Sequence, residues 1–185
     1  MARVKSDRKT VDMVFVLLGL VATVVLLAIG TLAWVASDFS KSSVSEQLTA
    51  QKIYFPEMDS PALKALPAAD REAMEQYAGE QLTTGDQAKV YAENFIGVHL
   101  SNIAGGKTYA EVSAEAKANP DDAALAGQKQ ALFQGETLRG LLLGDGYAFW
   151  TIGKIAYYAA AAAFAGAGIM VILVLLGMRH LSRSK

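Results

Sequence analysis

Residues 13–37 read MVFVLLGLVATVVLLAIGTLAWVAS, a run without a charge that lies between Asp12 and Asp38. A second uncharged run, IAYYAAAAAFAGAGIMVILVLLGM at residues 155–178, lies between Lys154 and Arg179. As helices, at ~1.5 Å per residue, each would be roughly 36 Å long, enough to cross a hydrocarbon core of about 30 Å with some tilt. The two runs therefore predict a mainly α membrane protein: a two-transmembrane-helix hairpin carrying the chain between them as a small, mostly helical extracytoplasmic domain. The expected divisions are a basic tail (1–12), a first span (13–37), the outer domain (38–153), a second span (154–178) and a basic tail (179–185).

Charge gives the orientation. The first tail carries Arg3, Lys5, Arg8 and Lys9, and the second carries Arg179, Arg183 and Lys185. Short basic flanks stay on the cytoplasmic side, so both termini are expected inside a bacterial plasma membrane. Residues 36–153 hold nine Lys and Arg against sixteen Asp and Glu, a net charge of −7. Such an acidic exterior argues against nucleic acid as a partner. Trp34, Tyr147, Phe149, Trp150, Tyr157 and Tyr158 gather near the proposed outer interface, where amphipathic rings are favoured. A cleaved signal peptide is a poorer reading: the first run is too long, and cleavage after Ala36 would place Trp34 where a small residue is needed. With no cysteine in the chain, the outer domain has neither disulfides nor thiolate chemistry.

Between the runs, the first span is expected to continue as a helix until the Ser-rich SDFSKSS at 37–43 loosens it. QKIYF at 51–55 reads as a short strand ended by Pro56. Helices are expected over 68–78, behind Pro67, and over 86–104, where Ala88, Tyr91, Ala92, Phe95, Val98, His99, Asn102 and Ile103 recur at three- and four-residue spacings. Gly105 and Gly106 should stop that helix. Thr108, with Glu111 three residues on, has capping-box spacing. Asn119-Pro120-Asp121-Asp122 should start a helix running to about Leu143, its acids serving as N-terminal caps rather than as a cation site. The GDG at 144–146 reads as a break before the second span.

The second run is rich in small residues. Ala159, Ala163 and Ala167 form one small-xxx-small ladder, and Ala162 with Gly166 forms part of another; Gly19 with Thr23, and Gly30 with Ala33, are the counterparts in the first. Small residues let helix backbones approach closely in lipid. Either the two spans pack on each other, or the ladders also dock integral membrane protein subunits or a second copy in a homo-oligomer. No side chain within the runs is more polar than a hydroxyl, which disfavours an ion pathway.

Catalytic equipment is sparse. SNIAGGKT at 101–108 resembles a phosphate-binding loop but has Ser101 where the motif needs Gly and a helix where it needs a strand. His99 is the sole histidine between the runs, and a metal centre usually needs three or four ligands; a packed or hydrogen-bonded side chain, a partner contact and a ligand role are the readings open to it. Arg139, three residues after Glu136, suits a local ion pair, or contact with a lipid phosphate or an acidic partner. No metal, cofactor or catalytic residue is assigned, and the chain is expected to be no enzyme.

The stretch QAKVYAENFIGVHLSNIAGGKTYAEV at 87–112, above all His99 and the GGKTYAEV of 105–112, resembles a segment of small two-span membrane proteins of actinobacteria, often labelled ring-opening dioxygenases. This chain lacks the iron-ligand set that label requires. The resemblance implies a two-helix topology and a setting among accessory subunits of respiratory complexes. The leading expectation is a non-enzymatic accessory or scaffold subunit. The alternative is an extracytoplasmic ligand-binding or sensing module with a pocket lined by Tyr91, Phe95 and His99.

Overall fold

The computed structural model describes residues 2–183, with side chains from residue 8 onward; Arg3, Lys5 and Lys185 of the basic tails lie outside the described side chains. The architecture is helical: α1 (Ala2–Ala50), α2 (Pro61–Lys64), α3 (Ala68–Glu75), α4 (Gly85–Val90), α5 (Gly97–Ile103), α6 (Tyr109–Ala118), α7 (Ala123–Leu141) and α8 (Phe149–Arg183). Two wide π turns, Tyr91–Ile96 and Leu142–Ala148, join α4 to α5 and α7 to α8. Two helices are long and apolar enough to cross a membrane, within Arg8–Gln51 and Ala123–Arg183. The chain divides into two compact units, one of residues 1–39 with 153–185 and one of residues 40–152.

The first unit is an antiparallel helix pair. Val16 lies beside Gly177, Gly19 beside Val174, Leu26 beside Gly166 and Gly30 beside Phe164, each advance along α1 matched by a retreat along α8. On α1 the buried or half-buried positions include 16, 19, 23, 26, 30, 33 and 37; on α8 they include 153, 156, 160, 163, 167, 170, 174 and 177. Both series alternate steps of three and four, the heptad spacing that keeps one seam facing a partner helix. Glycine sets the approach. A Cβ on Gly19 would stand 2.7 Å from Val174 Cγ2, and one on Gly30 would stand 2.8 Å from the Phe164 ring. The buried Thr23 hydroxyl needs no partner from the other helix, because it donates to Gly19 O at 2.8 Å.

The second unit closes over an apolar core that includes Val44, Leu48, Phe55, Leu63, Met74, Leu82, Val112, Leu132 and Leu142. Three sequence expectations are corrected here. SDFSKSS does not loosen α1, which runs on to Ala50. Ser40 is buried with its hydroxyl donating to Phe149 O, and the next turns bury Val44 and Leu48, so packing outweighs the weak helix propensity of serine. QKIYF is no strand. Phe55 N donates to Glu80 O and Leu82 N to Ile53 O, both at 2.9 Å, making one isolated antiparallel bridge between Tyr54 and Gln81. Lys52, inside the segment, stands at φ +53°, Pro56 follows it, and no second bridge extends it. GDG does not break the chain either. The Phe149 N–H reaches back to Gly144 O, so the helical course widens by one residue instead of stopping.

Candidate functional site

The two caps foreseen in this unit form. Thr108 accepts from Glu111 N at 3.3 Å, and its own N–H donates to Glu111 Oε2 at 2.7 Å. These bonds from Thr108, with Lys107 nearby, hold the Glu111 carboxyl below its ordinary range. Asp122 Oδ1 accepts from the N–H groups of Ala124 and Leu125 at 2.9 and 3.1 Å. Gly105 and Gly106, at φ +60° and +83°, turn the chain out of α5 as expected. A second capping box, at Thr84, was not foreseen. Gln87 Oε1 accepts from the N–H groups of Thr83 and Thr84 while its Nε2 donates to Glu80 at 2.9 Å, which satisfies a buried amide. The Thr84-x-x-Gln87 spacing was there to be read.

The π turn at 91–96 separates two uses of one helix. Along one line the rings of Tyr91, Phe95 and His99 follow one another at 5.0 and 4.4 Å, with Phe55 edge-on to Tyr91 at 5.4 Å and Tyr77 against Phe55 at 5.2 Å. His99 Nδ1 also lies 2.7 Å from Phe95 O. Burial pushes the Tyr91 hydroxyl above its ordinary pKa, so it stays neutral. The cleft described below is not lined by Tyr91, Phe95 or His99. His99 is a stacked, backbone-bonded side chain with an exposed edge.

A cleft of about 480 Å³ opens along the other line, Glu93, Gly97 and Ser101, and is closed by Arg139, Glu136 and Leu132 of α7 and by Lys107 of the α5–α6 turn. Arg139 reaches Gly97 so closely that a Cβ there would lie 3.6 Å from Nε. Its Nη1 donates to Glu136 Oε2 at 3.2 Å, while Nε is shut off from solvent and has no acceptor. Lys107, by contrast, is held by both oxygens of Glu115 at 2.8 Å. The pairing of Arg139 with Glu136 was legible in the sequence; the cleft was not, since it depends on helices brought together from positions 93–107 and 132–139. Among the described residues no three His, Asp or Glu side chains gather as a metal site would need.

In the helix pair, Gly19, Thr23, Ala163 and Ala167 lie on the buried seam, and Gly166 is half-buried beside Leu26. Ala159 and Ala162 face outward, as do Ala161, Ala165 and Gly168. The i,i+4 ladder through Ala159 is thus not the seam: heptad alternation puts Ala160 there in its place. Comparison with protein-family models, with curated proteins and with solved structures gives no match.

Proposed function

We propose that the chain is a non-enzymatic accessory or scaffold subunit of a larger integral membrane assembly, held in a bacterial plasma membrane by α1 and α8 with both termini in the cytoplasm. The observation behind this reading is the unused small surface of α8. The hairpin seam takes Ala160, Ala163 and Ala167, yet Ala161, Ala162, Ala165 and Gly168 remain exposed beside it. The outward side of α1 is different: Leu17, Leu18, Val21, Val24 and Leu32 are large side chains suited to lipid tails. Small residues on an outward face gain little from lipid and much from a helix that can approach closely. The acidic unit between the spans would then cover part of the partner's outer face, and the respiratory setting implied by the sequence resemblance fits such a role.

Replacing Ala165 or Gly168 by Leu tests the reading. Both positions are exposed, and a Cβ on Gly168 would meet nothing within 4 Å, so the hairpin should persist. Native mass measurement after mild detergent extraction should find the wild-type chain in a larger complex and the variants released from it. A solitary wild-type monomer under those conditions would refute the proposal.

A further inference from the structure

The cleft beside Arg139 carries an inference independent of the docking surface. Arginine presents five N–H donors in a rigid fork, and Arg139 uses one of its groups on a half-exposed carboxylate, a type of pair that solvent screens. Its Nε lies buried without an acceptor, an arrangement native proteins rarely keep. The neighbouring cation is already engaged, since Lys107 is bound by Glu115. The lining also holds Glu93 and Glu136, so a dianion such as phosphate would meet two carboxylates, with both cations of the lining already paired. A simple carboxylate would leave Glu93 unanswered. The volume falls within the range of small-molecule sites, ~300–1,000 Å³.

We propose that this cleft binds a small zwitterion, an amino acid or short peptide whose carboxylate lies on the Arg139 guanidinium and whose ammonium group turns toward Glu93. The carboxylate displaces Glu136 and takes over the Nη1 donor that Glu136 now holds. The ammonium group gives Glu93 a counter-charge, which separates this ligand from acetate and from inorganic phosphate.

The test uses the full chain in detergent, labelled with ¹⁵N-arginine, with the Arg139 Nε–Hε resonance assigned by Arg139→Lys. The probes are the free amino acids, glycylglycine, acetate and inorganic phosphate at matched ionic strength. At least one zwitterion should move that resonance saturably, with half-saturation below about 1 mM, and acetate and phosphate should not. By calorimetry, Arg139→Gln should weaken binding at least about tenfold, and Glu93→Gln should cut the preference for the zwitterion over acetate by about tenfold. Glu93 is exposed, so its variant carries the test alone if Arg139→Gln fails to fold. No movement with any zwitterion, equal movement with acetate or phosphate, or unchanged binding by the Glu93 variant would overturn the assignment.

Discussion

Gly85 has no room for a methyl group. A Cβ there would stand 2.2 Å from Trp150 Cβ and 2.8 Å from Gly146 O, and Trp150 is itself tied by its Nε1–H to Asp86 Oδ2 at 3.2 Å. Gly85→Ala should therefore lower stability by about 1–3 kcal/mol, the usual cost of overpacking a filled site. Gly127 lies exposed in α7 with nothing within 4 Å of its Cβ position. Gly127→Ala should raise stability by about 0.4–1 kcal/mol, because alanine has less backbone freedom to lose. Denaturant unfolding of the two variants should give opposite signs, and equal shifts would contradict the close approach of α4 to the second π turn. Nothing local in the sequence distinguishes the two glycines; what differs is the helix that each one faces.

At the scale of elements, α6 should respond to acid through its cap. The Thr108 N–H and hydroxyl stabilise the charged form of Glu111, so the unfolded chain takes up a proton at higher pH than the folded one. The stabilisation is present above the ordinary carboxylate range and is lost as pH falls through the lowered value. Amide protection at residues 109–112, normalised for the intrinsic pH dependence of exchange, should fall on acidification in the native chain and vary little with pH in Glu111→Gln. Caps of this kind are legible because donor and acceptor lie three residues apart, as at Thr108 and Asp122. The misread elements fail for the opposite reason. Ser40 and Gly146 look like interruptions until Phe149 O and the close-packed Gly85 come into view, and both partners lie far off in sequence. The hairpin seam was legible in principle, since its three-and-four alternation is written in residues 16–37 and 153–177, but the alanine run hides it by offering several ladders at once.

For the whole molecule, the arrangement proposed above makes a direct claim about sidedness. The chain contains no cysteine, so single introduced thiols report cleanly. A membrane-impermeant maleimide added to intact cells should label Ala118→Cys and should reach Ser182→Cys only after permeabilisation; both positions are exposed. The reverse pattern would place the acidic unit in the cytoplasm and end the proposed topology. The pair of long apolar helices could be read from composition alone. The Arg139 cleft could not, because its walls come from separate stretches of chain, 93–107 and 132–139.

The wide turn at 91–96 gives the helix two clients, a file of stacked rings and a charged hollow, which an ordinary α-helix would hold at a different phase. Removing one residue there, Asn94 for example, would restore regular winding and rotate everything from Gly97 to Ile103 by about 100° relative to α4. Phe95 could then keep its neighbour Tyr91, or Gly97 could keep its place beside Arg139, but one face would be surrendered. The shortened protein should still be helical by circular dichroism while losing either the ring-current shifts between Tyr91 and Phe95 or the contact of Gly97 with Arg139 Nε.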